Sequence, residues 1–108
     1  MRRGEVWTAT GGVYAAKPRP VLIIQDDRFD ATDSVTVLPT TTTLVDAPLL
    51  RIPVEPTPAN GLERASHIMI DKITTTRREK AQTRLGVLSA EDLLRVERSL
   101  LVFLGIAG

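Results

Sequence analysis

Lys17-Pro18-Arg19-Pro20-Val21-Leu22-Ile23-Ile24 is the stretch whose reading decides the fold of this chain. From Arg19 to Gln25 the sequence is apolar on both alternate faces, which predicts a strand buried on both sides and therefore central in its sheet. Two prolines bracket an arginine at the mouth of that strand. Proline sets φ, lacks an N–H and restricts its predecessor, so the backbone carrying Arg19 has few conformations open to it. A cation held in that way suits a phosphate or another anion, because the guanidinium presents a planar fork of donors. The simpler alternative is a loop-to-strand junction with a surface arginine.

Outward from this strand, the first two-thirds of the chain is strand-like. Glu5 to Thr10 alternates, with Val6 and Thr8 on one side and Trp7 and Ala9 on the other, before Gly11-Gly12 opens a loop that lasts to Pro18. Ser34 to Thr40 is rich in β-branched residues; Pro39 is expected to stop it, ahead of the run Thr40-Thr41-Thr42-Thr43. Leu49 to Val54 reads as another strand, which Pro53 demotes to an edge or a bulge. Pro53 to Asn60 is a turn-rich loop ending in Asn60-Gly61, and Ser66 to Thr76 resumes β character. The last fifth differs: Ser89 is a hydroxyl N-cap followed by Glu91 and Asp92 in the first turn. Leu93, Val96, Leu100, Leu101 and Leu104 follow at helical spacing and Gly105 supplies the stop, which predicts an amphipathic helix of about four turns. Short strands with turns between them and no alternating helices predict a mainly β fold, a small closed or half-open antiparallel barrel carrying a C-terminal helix.

At 108 residues the chain is expected to be one domain over 1–108, and with 43% apolar residues and four aromatics its core must be mostly Val, Ile and Leu. The absence of cysteine excludes a disulfide framework and a thiol nucleophile. Met1-Arg2-Arg3-Gly4-Glu5 has no apolar run behind it and no stretch is long enough to span a bilayer, so a cytoplasmic soluble protein is expected. Net charge is only +1, from 14 basic and 13 acidic residues, which does not suit a strongly basic nucleic-acid binder. The charges are unevenly placed: Lys72, Arg77, Arg78, Lys80 and Arg84 stand against Glu79 alone, while Asp26, Asp27, Asp30 and Asp33 gather elsewhere. Such asymmetry can leave a positive groove on a nearly neutral molecule, or simply a solvated face.

One histidine and no cysteine argue against a metal site, and an Asp26-Asp27-Asp30 oxygen cage reads better as an ordinary polar loop. No phosphate loop, dinucleotide fingerprint or nucleophile elbow is present. His67 lacks an evident triad partner set and, following Ser66 in a strand, points to the opposite face. Arginine, threonine and serine remain as the chemical groups. Cleavage of RNA by its own 2′-hydroxyl can run on these, because the protein need only align the nucleophile, stabilise charge on the phosphorane oxygens and assist proton transfers.

The sequence resembles the MazF/PemK toxins of bacterial toxin–antitoxin systems over nearly its whole length. The matching pieces are Arg3-Gly4-Glu5-Val6-Trp7, Lys17 to Ile24, Val35-Thr36-Val37-Leu38-Pro39-Thr40-Thr41-Thr42, Ser66 ahead of Ile70-Asp71-Lys72-Ile73-Thr74-Thr75, and Leu85-Gly86-Val87-Leu88 with the helix ending Leu104-Gly105. The resemblance implies a small SH3-like barrel of the CcdB/PemK type that forms a homodimer. It further implies a metal-independent, cofactor-free endoribonuclease that cuts single-stranded RNA to leave a 2′,3′-cyclic phosphate and a 5′-hydroxyl. A cognate antitoxin with an acidic tail would cover its groove. Carried onto this chain, the resemblance makes Arg19 and Thr41 the catalytic pair, with Thr40 and Thr42 flanking in case the register slips by one. Lys17, Thr40, Thr42, Ser66, Lys72 and Arg77 become the RNA contacts, and Arg3-Gly4-Glu5 serves the fold.

Two departures bear on the chemistry. Many members carry a glutamate in the loop before the arginine, where Tyr14 stands here by spacing, and often Gln where this chain has Lys72. Without that glutamate the proton acceptor is unassigned, since arginine stays protonated at neutral pH. Arg19 is therefore read as an electrostatic stabiliser, with any proton taken by water or phosphate. The competing functions are a non-catalytic toxin of the same fold that binds a protein, as the gyrase-poisoning CcdB toxins do, and an RNA-binding barrel that has lost activity.

Overall fold

The expected central strand is present as β2 (Arg19–Ile23), paired antiparallel with β1 (Glu5–Ala9) on one edge and β3 (Ser34–Thr41) on the other. In this computed structural model, which describes residues 1–10 and 17–107, its side chains alternate between two apolar clusters. Leu22, with Ile24 just past the strand, enters the main core beside Val6, Leu38, Ile68, Ile70 and Val96. Val21 and Ile23 enter a second cluster with Ala9, Val35 and Val37, on which Trp7 packs. Each fully buried side chain of this size stabilises the fold by roughly 1.5–3 kcal/mol. Gly11-Gly12 and Tyr14 lie outside the described residues.

Four further strands, β4 (Arg51–Val54), β5 (Ser66–Met69), β6 (Thr74–Arg77) and β7 (Ala81–Val87), complete a seven-stranded sheet of order β4-β5-β3-β2-β1-β7, with β6 pairing β3 off that path. Its pairings are antiparallel, and among the described residues the two ends of the order do not meet. The barrel is thus of the half-open kind. β4 is an edge strand, as Pro53 requires.

Pro39 does not stop β3, contrary to expectation. Thr36 accepts from the Ile24 N–H and its own N–H donates to Gln25 Oε1, so the even-numbered residues of β3 face β2 and Pro39 turns its nitrogen to the other edge. On that edge β6 pairs Ser34 to Val37 and β5 pairs Thr40 and Thr41. Pro39 falls in the gap between these partners, where a missing N–H breaks no ladder bond. The region Ser66 to Thr76 is accordingly two strands, separated by a 3₁₀ turn over Ile70–Lys72. Ile68 pairs Thr40, so an unbroken strand would set Asp71 opposite Val37; Thr74 stands there instead, and the turn absorbs the three extra residues.

Strand β7 was not legible as a strand. Only Gly86 is buried along it; Ala81 and Leu85 are half-buried, Gln82 to Arg84 are polar and exposed, and Val87 is exposed, so no apolar alternation marks it. It is placed by its partner β1, with two register irregularities along the pair.

The helix α1 (Ala90–Phe103) starts and stops as predicted. Ser89 Oγ accepts from the Asp92 N–H at 3.1 Å. At the other end Gly105 adopts φ +74°, with Ile106 N–H donating to the Leu101 carbonyl at 2.9 Å and Gly105 N–H to that of Val102 at 3.0 Å. Val96 is buried in the core and Leu93 and Leu100 pack against it, whereas Leu101 and Leu104 are 41% and 48% exposed. Leu101 lies about 100° round the helix from Leu100, and Leu104 belongs to the final turn. The N-terminus ties sheet to helix: Arg3 donates to the Ile24 carbonyl at 3.2 Å and to Glu97 at 2.6 Å, while Gly4 at φ +90° passes against Leu93. Arg3-Gly4-Glu5 does serve the fold.

Glu5 accepts from the Arg2 N–H at 2.7 Å, from Trp7 Nε1 at 3.0 Å and from Arg84 Nε of β7 at 2.7 Å. Burial pushes this carboxyl up, but the three hydrogen bonds and the Arg84 charge more than offset that, taking its pKa from the usual 4.5 to about 2. A folded value below the unfolded one stabilises the fold above about pH 4.5, and the contribution is lost as pH falls toward 2. The urea midpoint of the wild-type protein should therefore drop more steeply between pH 5 and 3 than that of Glu5→Gln. Parallel pH curves for the two proteins would refute this origin of acid sensitivity.

Candidate active site

The antiparallel register that sets Val21 opposite Pro39 also brings the mouth of β2 beside the end of β3. A cavity of about 320 Å³ opens there. Its walls are Pro18, Arg19 and Pro20 from the start of β2, Thr40 to Thr42 from the end of β3, Thr8 of β1, Leu85 of β7, and Gly61 to Arg64 with Ser66. Arg19, Thr40, Thr41, Thr42 and Ser66, separated in sequence by up to 47 positions, thus share one pocket. Arg19 is exposed and forms no ion pair among the described residues, which leaves its guanidinium available to an anion.

Hydrogen bonding separates the three threonines. Thr40 is 8% exposed and its hydroxyl donates to the Pro20 carbonyl at 2.9 Å, so it clamps β3 to the strand mouth that carries Arg19. Thr41 is half-buried; its Oγ1 accepts from the Thr43 N–H at 3.1 Å, and its proton has no acceptor among the described residues. Of these three, only Thr41 combines a fixed hydroxyl with an available donor; Thr8 of β1, whose Oγ1 accepts from the Thr83 N–H at 3.2 Å, does the same among the described residues. Thr42 is exposed in the turn that follows. Ser66, 4% exposed, donates to the Arg64 carbonyl at 2.9 Å; its hydroxyl proton is committed to the loop, and its oxygen can still accept.

Glu63 and Arg64 were missed in the sequence. They follow the turn-rich stretch Pro53 to Asn60, and the tight Asn60-Gly61 turn just ahead of Ser66 is a signal that the chain doubles back there. Asn60 is buried and fully engaged: Oδ1 accepts from the N–H groups of Thr57 and Leu62 at 3.0 Å each, and Nδ2 donates to the Glu55 carbonyl at 2.9 Å. Gly61, at φ +70°, and Gly86 lie so close to the facing backbone that a Cβ on either would collide with the Leu85 or Ala59 carbonyl. Loop and strand β7 are locked together, and the Val87 N–H donates to the Ala59 carbonyl at 2.9 Å. Neither the Glu63 nor the Arg64 side chain has a hydrogen bond or ion pair among the described residues.

Other predicted residues lie elsewhere. Lys17 is exposed and adjoins the cavity only through Pro18. Lys72 is half-buried in the 3₁₀ turn, and Arg77 lines a separate polar depression with Asp33, Ser34 and Glu79, at 3.9 Å from Glu79. The basic run does not form one groove: Arg84 is paired with Glu5, and Arg78 donates to the carbonyls of Phe29 and Thr32. Asp26 caps a 3₁₀ turn, accepting from the Arg28 N–H, which together with the Arg28 side chain lowers its pKa. Asp27 accepts from the Arg3 N–H. Among the described residues no three His, Cys, Asp or Glu side chains come together as a metal-holding group. His67 faces away from Ser66, as strand alternation requires, into a different cavity of about 540 Å³ lined by Arg51, Arg95 and Arg98.

Comparison with known proteins adds to this geometry. A family profile described as PemK-like, MazF-like toxin of type II toxin–antitoxin system matches residues 2–104. A protein named "Probable endoribonuclease MazF" from Mycolicibacterium smegmatis is 62% identical over 109 residues, with all of both chains covered. Among solved structures, Mycobacterium tuberculosis toxin MazF-mt6 superposes with a TM-score of 0.81 at 24% identity, covering 96% of this chain and 99% of that one. A mycobacterial endoribonuclease in complex with its cognate antitoxin gives a TM-score of 0.81 at 22% identity, covering 100% and 98%.

The committed Thr40 hydroxyl and the available Thr41 hydroxyl predict different stability effects. Thr40→Val leaves the Pro20 carbonyl without its donor and should cost roughly 1–3 kcal/mol, several degrees of melting temperature in a domain of this size. Thr41→Val should stay within about 0.5 kcal/mol of wild type. Circular dichroism melts decide it, and equal losses at both positions would refute the distinction.

Proposed function

Because this chain belongs to the PemK-like, MazF-like toxins of type II toxin–antitoxin systems, we propose that it is an endoribonuclease that cuts single-stranded RNA by attack of the substrate's own 2′-hydroxyl. The observation that carries the reading is the convergence of Arg19 and Thr41 on one cavity. The Arg19 guanidinium spreads two or more donors over the phosphorane oxygens as their negative charge grows, and the Thr41 hydroxyl adds one more. The 2′-oxygen forms its bond to phosphorus as the bond to the 5′-oxygen breaks, which gives a 2′,3′-cyclic phosphate and a 5′-hydroxyl. The nucleophile belongs to the substrate, so the protein need not supply one.

Thr42 on the cavity wall and Lys17 just beside it suit contacts to the flanking nucleotides, and Ser66 offers an acceptor within it. Lys72 and Arg77 would meet only RNA that extends well beyond the cleaved bond. Full-length identity to a protein named as an endoribonuclease favours this reading over a protein-binding toxin. A cognate antitoxin is the expected inhibitor, as in the solved mycobacterial complex. A homodimer is supported by the exposed Leu101, Val102, Phe103, Leu104 and Ile106 at the end of α1, since contiguous apolar exposure marks association surfaces.

In EDTA the purified protein should cut a long unstructured RNA at discrete sites with 5′-hydroxyl ends. Arg19→Ala should lower the rate roughly 10²–10³-fold while remaining folded. Retained cleavage by the variant would sink the assignment of Arg19, and activity lost in EDTA but restored by magnesium would sink metal independence. Sedimentation at micromolar concentration should show a dimer; a monomer throughout would refute self-association.

A further inference from the structure

The Arg19/Thr41 chemistry leaves one requirement unmet: something must take the proton from the attacking 2′-hydroxyl. Among the described residues lining the cavity, the side chains able to bind a proton or give one up are Arg19, Arg64, four threonines, Ser66 and Glu63. Arginine carries its proton at any working pH, and threonine and serine hydroxyls hold theirs. Residues 11–16, ahead of Arg19 in the sequence, contain no carboxylate and no histidine, and their one ionisable side chain is the phenol of Tyr14, a residue type that holds its proton at neutral pH. The single histidine, His67, lies on the opposite face. Among the described residues Glu63 is the one carboxylate in the cavity wall.

Resting on the ribonuclease reading above, we propose that Glu63 is the general base of the reaction. Its carboxylate takes the proton from the 2′-hydroxyl while the 2′-oxygen bonds to phosphorus. The P–O5′ bond breaks with its electron pair going to the 5′-oxygen, and water from the open side of the cavity protonates that oxygen. A subsequent exchange with solvent returns Glu63 to its charged form. Its neighbours cation-flank the phosphate: Arg19 on the strand mouth and Arg64 on the same loop.

Placement supports the assignment. Glu63 is exposed and its carboxylate has no partner among the described residues, so no existing contact competes for it. The backbone that carries it is held at both ends, by buried Asn60 and the Gly61–Leu85 contact before it, and by the Ser66–Arg64 hydrogen bond after it. A base must be presented in a set position for its effect to reach the usual 10²–10⁴-fold range, and these anchors provide one. Ser66 thus acts as a positioning residue for the loop.

The test measures kcat, KM and their pH dependence on one short RNA substrate for wild type, Glu63→Gln and Glu63→Asp. Glu63→Gln should lower kcat roughly 10²–10⁴-fold with KM nearly unchanged, and the acid limb of the kcat/KM profile should vanish. Glu63→Asp should keep that limb and recover part of the rate. The Glu63→Gln deficit should also persist on an RNA whose 5′-bridging oxygen is replaced by sulfur, because that leaving group needs no proton. Recovery on the sulfur substrate would make Glu63 the acid and overturn the proposal. So would a Glu63→Gln enzyme within about threefold of wild type, or one altered only in KM or in the bases it selects. Wild-type protein that cuts no RNA would instead bring down the ribonuclease reading, and this assignment with it.

Discussion

The structure depends on the burial of β2 from both sides. Val21 and Ile23 close one apolar cluster while Leu22 and Ile24 close the other, so removing the strand would open both at once. Truncating one such side chain costs about 2–5 kcal/mol, a large share of the stability of a domain this size. That rigidity is passed to the site. Arg19 is the first residue of this strand, held between two prolines, and Thr40 binds the same strand mouth from the next strand over.

The second constraint is steric. The loop bearing Glu63 and Arg64 can lie against β7 only because Gly61 and Gly86 have no Cβ at the contact. Buried Asn60 then supplies the hydrogen bonds that such a tight turn leaves wanting. A turn-rich loop with two prolines would read as a plain surface connection. Here it forms one wall of the cavity.

Charge is spent mostly on architecture. Arg3 joins Glu97, Arg84 joins Glu5, Arg51 joins Asp71 and Arg78 holds main-chain carbonyls. Arg19 and Arg64 form no ion pair among the described residues, and both line the same cavity. A net charge of +1 is compatible with anion binding because two cations at one opening matter more locally than the sum over the surface.

Local sequence alone determined much of this protein. The two-sided strand at Val21 to Ile24, the edge position of β4 through Pro53, the capped helix from Ser89 to Gly105 and the opposition of Ser66 and His67 all follow from periodicity, φ restriction and capping, which act within a few residues. The Arg19 and Thr41 positions were legible through family resemblance as well as residue type. Tertiary structure decided the rest. It let β3 run through Pro39 because the gap between β5 and β6 needs no donor there, it made a strand of β7 without apolar alternation, and it dispersed the basic run, setting Arg84 against Glu5 and Arg78 against main-chain carbonyls. It alone brought Glu63 to the cavity, because which side chains meet across a sheet is set by strand register and close backbone contact between segments distant in sequence, and no local pattern encodes either.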